Sequence, residues 1–121
     1  MLLVDARAGI SKIHGIGLFA YEFIPKGTHV WMFNPKFDVV FTEEQMQSFP
    51  APAQRQARRY SYFDSGMQVY ILASDDSRFV NHADDPNLLD NGHINYAARD
   101  IHIGEELTWD YRPWGGTEFM E

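Results

Sequence analysis

The chain has 121 residues, of which 45% are hydrophobic, 15% aromatic and 22% charged, with no cysteine and a formal net charge of −7. That length accommodates one domain with a real core and not two. Without cysteine there is no disulfide, no thiolate metal site and no cysteine nucleophile, and the acidity speaks against direct nucleic-acid binding, which needs clustered Lys and Arg. The same acidity fits either a basic protein or peptide partner drawn in by the field, or solubility alone. The opening "MLLVDARAGI" is too short and too polar for a signal sequence, and no apolar run reaches bilayer length. The expectation is a soluble intracellular protein with no membrane segment.

In chain order, "SKIHGIGLFA", "IPKGTHVWMF" and "FDVVF" read as short strands punctuated by Gly and Pro turns. "TEEQMQSF" places Thr42 three residues before Gln45, a capping-box spacing that predicts a short helix. "PAPAQRQARRY" has prolines first and helix formers after them, which predicts a further helical turn or two. "YSYFD" and "MQVYILA" read as strands joined by an Asp64-Ser65-Gly66 hairpin turn. "RFVNHADDPN", 78–87, reads as a hydrophobic strand end, an Asn-His pair, and a polar turn. "HINYAARDI" alternates as a strand, Gly104 marks a turn, and "ELTWDY" follows as a strand rich in rings. Many short strands with little helix make a mainly β fold with a small helical insert.

Taken singly, the candidate motifs are weak. The five histidines, at 14, 29, 82, 93 and 102, form no H-x-x-x-H or H-E-x-x-H pair, so no metal site is expected. "HGIG" lacks the third glycine of a dinucleotide loop, although two glycines do permit close backbone approach to a ligand. Trp109 and Tyr111 offer ring faces that attract a cation, and Tyr111 a hydroxyl that both donates and accepts.

Together and in this order, "GIG" at 15–17, "IPKGTHVW" at 24–31, "RFVNHADDPN" at 78–87 and "RDIHIGEELTWDY" at 99–111 resemble the SET domain, the β-rich protein-lysine methyltransferase family. The resemblance covers about residues 8–114 of one domain spanning 1–121, with 115–121 read as a mobile tail. It implies a β-clip-like fold of several small sheets with a short helical insert and a knot-like C-terminal segment. It implies methyl transfer from S-adenosylmethionine to a lysine of a basic protein, such as a histone or histone-like protein. The cofactor is then expected at Gly15, Ile16 and Gly17, at Tyr60 (with Tyr62 as core or second choice), at the Asn81 side chain, at the His82 backbone and at Trp114. The lysine channel is expected at Phe33, Trp109 and Tyr111, with Tyr111 catalytic and His82 structural rather than a base.

This sequence departs from the family pattern in several places. Ala83-Asp84 follows Asn-His where a cysteine is frequent, and "RPWGGTEFME" has none of the zinc-binding cysteines that close the channel. Closure therefore falls to Trp114 or to a second copy of the chain, a homodimer. A lone domain of this kind is similar to viral or bacterial members, which places it in cytoplasm or, for a virus, the host nucleus. Trp109 stands where Phe or Tyr sets the number of methyl groups, and an indole follows neither rule. The competing function is a SET-like module without activity that binds a peptide or protein partner. Binding of S-adenosylmethionine discriminates the two.

Overall fold

The computed structural model describes residues 1–114, with the Trp114 side chain and residues 115–121 outside the described part. The tail expected after 114 lies there. The strands form three small antiparallel or mixed sheets, and residues of the first two, with the segments beside them, make up the main core. The first contains β1 (Ala6–Ile10), β2 (Ile16–Ala20), β7 (Asn81–His82) and β10 (Glu106–Trp109), in the order β1-β2-β10-β7. The second contains β3 (His29–Met32), β8 (Leu88–Asn91) and β9 (Ile94–Ala97), in the order β3-β9-β8. The third contains β4 (Val39–Phe41), β5 (Ser61–Asp64) and β6 (Val69–Leu72), in the order β4-β6-β5.

Apolar residues of the first sheet make the centre of the core. Leu107 of β10 lies opposite Leu18 of β2, and both are fully buried, as are Ile24 and Ile101, which pair in an isolated bridge outside the named strands. Burying an aliphatic side chain of this size contributes roughly 1.5–3 kcal/mol each. The first residues belong to the same body: Leu3 N–H donates to Val30 C=O at 2.8 Å and Leu2 bridges Trp31.

The helical insert lies between β4 and β5. Helix α1 (Glu43–Ser48) opens on Thr42, whose hydroxyl accepts from Gln45 N–H at 3.1 Å while the Gln45 side chain accepts from Thr42 N–H at 2.8 Å. It turns Met46 fully inward. Helix α2 (Ala51–Tyr60) runs ten residues, longer than its sequence suggests, and is tied to α1 by Arg58 donating to Glu43 at 2.8 Å. That guanidinium, with help from Tyr70 and Gln47, holds the Glu43 carboxyl down at about 2. The Asp64 turn forms as expected, with Gly66 N–H on the Asp64 carboxylate at 2.9 Å and Gln68 in the left-handed region.

One local expectation is corrected. Residues preceding the Asn-His pair do not end a strand; Asp76–Phe79 forms a 3₁₀ turn. Asp75 is the reason, because its carboxylate caps that turn through Ser77 N–H at 3.1 Å and also accepts from Leu2 N–H at 2.8 Å. A side chain that satisfies the backbone locally outcompetes the ladder.

The C-terminal segment occupies the middle of the first sheet. β10 runs antiparallel to β2 on one side and parallel to β7 on the other. It is stitched to residues 80–87 by Ala83 N–H on Trp109 C=O at 3.0 Å, and above all by Asn87. The buried Asn87 amide donates to Glu106 C=O at 2.8 Å and accepts from Thr108 N–H at 2.8 Å, as a neighbouring strand's peptide would.

Candidate cofactor and amine site

A cleft of about 240 Å³ opens beside β7, lined by His14, Gly15, Ile16, Arg59, Tyr60, Arg78, Phe79, Asn81 and Tyr111. Five residues singled out in the sequence therefore face one space: Gly15, Ile16, Tyr60, Asn81 and Tyr111. They arrive from the β1–β2 loop and the start of β2, the end of α2, β7 and the second residue after β10. A shallower apolar hollow between α2 and the third sheet, with Phe41, Phe49 and Leu72 in its walls, adjoins the cleft and shares Tyr60, Arg78 and Phe79 with it.

Asn81 is 5% exposed, and its amide nitrogen faces four acceptors: Glu106 Oε2 at 2.9 Å, His14 C=O at 3.1 Å, and Ile16 C=O and Ser11 Oγ at 3.2 Å. The two backbone carbonyls fix the amide's orientation, because the reverse would set oxygen against oxygen. Asn81 Oδ1 has no partner among the described residues, so it is the polar atom left for the cleft.

Tyr111 is placed through both its backbone and its ring. Its N–H donates to His82 Nδ1 at 3.0 Å and its hydroxyl donates to Val80 C=O at 2.6 Å. Burial holds its phenol above the ordinary value, with the Arg59 cation pulling the other way. The hydroxyl proton is thus committed to Val80, and the oxygen presents lone pairs elsewhere.

His82 has both ring nitrogens occupied. Nδ1 accepts from Tyr111 N–H, which leaves the proton on Nε2, 3.0 Å from Asp84 Oδ1. Its side chain is buried and does not line the cleft. Asp110, 3.6 Å from Nδ1, is held down at about 2, chiefly by hydrogen bonds from Arg112.

Tyr60 is the last residue of α2, and the strand expected of "YSYFD" begins only at Ser61. Tyr60 packs edge-on to Phe79 at 5.4 Å. Tyr62 belongs to a file of edge-on rings instead, 6.1 Å from Trp31 and 5.8 Å from Trp109, which in turn stands 6.3 Å from Tyr111. Phe33 packs against His93 at 5.3 Å and is not in the wall of the cleft. Gly17 is not there either. It is buried in β2, where a Cβ would overlap the Glu106 carboxylate, so its smallness serves that side chain. The Trp114 side chain lies outside the described residues.

Sequence reading missed Arg59, Ser11 and Glu106. Glu106 stood in plain view inside "GEELTWDY", but only the β2–β10 pairing brings it to the loop. Among the described residues no group of three or more His, Asp or Glu could hold a metal, and no helix is long and apolar enough to cross a membrane.

Comparison with known proteins gives a consistent set. The SET domain family matches residues 15–112. The histone-lysine N-methyltransferase set1 of Dictyostelium discoideum is 32% identical over 121 residues, covering 84% of this chain but 8% of that protein. Polycomb Repressive Complex 2 of Chaetomium thermophilum, in an autoinhibited conformation bound to S-adenosylmethionine, superposes with a TM-score of 0.70 at 22% identity, over 92% of this chain and 15% of that one. A candidate histone methyltransferase of Plasmodium falciparum superposes with a TM-score of 0.63 at 22% identity, over 91% of this chain and 95% of that one.

Proposed function

This chain belongs to the SET domain family, and from that premise and the cleft we propose that it is an S-adenosylmethionine-dependent protein-lysine methyltransferase. The observation that carries the reading is the pairing, in one cleft, of an unpartnered Asn81 carbonyl oxygen with a Tyr111 hydroxyl whose proton is already spent on Val80. The first suits an ammonium donor, the second an amine or a sulfonium methyl group.

The residues present fit that cofactor. Asn81 Oδ1 and the loop at 14–16 would hold the amino-acid end, Arg59 and Arg78 bring cations for its carboxylate, and Tyr60 and Phe79 bring ring surface. The His82 backbone and Trp114 complete the set on resemblance. When bound, S-adenosylmethionine supplies a sulfonium methyl group to an amine.

The chain's own work is positioning and desolvation. Trp109 and Tyr111 would wall the lysine channel, with Phe33 assigned to it on resemblance alone. A free lysine has a pKa near ~10.4, and a low-dielectric aromatic channel beside a cation favours the neutral, nucleophilic amine. Tyr111 Oη accepts from that amine and aligns it. Most of the rate then comes from holding two reactants in near-attack geometry.

The substrate we infer is a basic protein, histone or histone-like, drawn to a chain of net charge −7. The single domain spans 1–121 with its core at about 8–114, and Trp114 or a second copy of the chain closes the channel. Sedimentation at micromolar concentration showing monomer alone, with full activity, removes the second copy. The function is tested by transfer of labelled methyl groups to a panel of basic proteins, with the modified residue identified by mass spectrometry. Label on lysine supports it. No cofactor binding and no transfer to any protein on the panel point to the binding module instead.

A further inference from the structure

At the back of the cleft Asn81 joins a polar cluster with Ser11 and Glu106, neither of which is in the cleft's lining. Both Glu106 carboxylate oxygens are 2.8 Å from Ser11 Oγ, and Oε2 is 2.9 Å from Asn81 Nδ2. Ser11 Oγ in turn accepts from Ile13 N–H at 2.9 Å and His14 N–H at 3.2 Å, and Ser11 N–H closes the loop on Gly15 C=O at 2.9 Å. The loop that forms one wall of the cleft is therefore wound around a single hydroxyl, and that hydroxyl is anchored to β10 by Glu106. Gly17 leaves the room the carboxylate occupies.

The chemistry of the cluster has a direction. The Glu106 carboxylate oxygens accept from the Ser11 hydroxyl and from one Asn81 N–H. With His14 and Ile16 carbonyls on the same side, every neighbour behind Asn81 is an acceptor. Asn81 can turn only its oxygen toward the cleft, and a cleft so equipped selects a ligand end that donates N–H.

Resting on the methyltransferase reading, we propose that Glu106, acting through Ser11 and Asn81, is a positioning residue. It sets the cofactor loop and joins the His14 and Ile16 carbonyls in holding the Asn81 oxygen toward the cleft, and so strengthens the site's selectivity for the α-ammonium end of the cofactor.

The test is calorimetric titration of the whole chain with S-adenosylhomocysteine and with its deaminated analogue. Glu106→Leu and Ser11→Ala are each expected to weaken binding of S-adenosylhomocysteine about tenfold, while Glu106→Gln, which keeps one acceptor oxygen, loses about threefold. The wild type's preference for the amine over its deaminated analogue should shrink in Glu106→Leu. In an Asn81→Ala background, Glu106→Leu should add less than about twofold, because both act on one contact. A purely structural role would leave the preference intact and the effects additive, and either result overturns the inference. If Glu106→Leu does not fold, Ser11→Ala decides, since it removes one loop hydroxyl and no core atom. Unchanged affinity in folded Ser11→Ala also overturns it. A wild type that does not bind S-adenosylhomocysteine overturns the methyltransferase reading, and this inference with it.

Discussion

Tyr111 and Asn81 separate chemistry from binding, and each has a substitution that shows it. Tyr111→Phe keeps the ring and its edge contacts but deletes the hydroxyl on Val80 C=O. We expect kcat to fall about a hundredfold, as on removing one preorganised polar group, with cofactor affinity nearly intact by calorimetry. Wild-type turnover in that variant would make Tyr111 a core aromatic. Asn81→Ala should instead raise the cofactor Kd about tenfold or more, since a buried polar contact is worth roughly 1–3 kcal/mol. Equal affinity in a folded variant would remove Asn81 from the site. The sequence named both residues, but not how they present themselves. That Asn81 offers oxygen and not nitrogen depends on two carbonyls from residues 14 and 16, which no spacing rule reveals. Gly17 illustrates the opposite limit: a glycine read as making room for a ligand makes room for Glu106.

Elements with local signals were legible, and those set by distant partners were not. The Thr42–Gln45 capping box could be read directly because both its hydrogen bonds lie within four residues. Thr42→Ala should therefore cost about 1 kcal/mol in urea unfolding. The 3₁₀ turn before Asn81 was misread because its cap, Asp75, is held partly by Leu2, 73 residues away. Asn87 shows the same limit. In sequence it looks like the end of a turn, yet in the fold it replaces a strand's peptide alongside β10. Asn87→Ala leaves a buried donor and a buried acceptor unpaired, and we expect about 3 kcal/mol of destabilisation, enough to show in a urea melt. A loss below about 0.5 kcal/mol would mean water replaces both bonds.

Over the whole molecule, the mainly β class and small helical insert were legible, since strand and turn signals recur along the chain, and several small sheets followed from the resemblance, whereas the order and pairing of the strands within them did not. The pH response also belongs to this scale. Asp90, at the end of the β8–β9 hairpin, is an exposed residue whose carboxyl is nonetheless hemmed in. Burial raises it to about 6, against the lowering pull of His93 and Asn95. A folded carboxyl raised above its ordinary value keeps a proton that the unfolded chain has already released. Stability therefore falls as pH rises from about 4 to 6, and the deficit persists above that window. Asp90→Asn should recover about 1 kcal/mol near pH 7.5, after discounting for its exposure, and almost nothing near pH 4. Urea melts at the two pH values check this, and an equal gain at both would refute it. The position of β10 bears on the order in which the chain folds. Its pairing of residue 107 with residue 18 spans most of the sequence, and the parallel contact with β7 forms only when the intervening hairpin has crossed over. Contacts this remote are slow to close. The walls of the cleft come from residues 14–16, 59–60, 78–81 and 111, so a partly folded chain has no cleft to offer. A ligand that binds there recognises only the finished protein and steadies all of it at once, by about 2.7 kcal/mol at a hundred times its Kd.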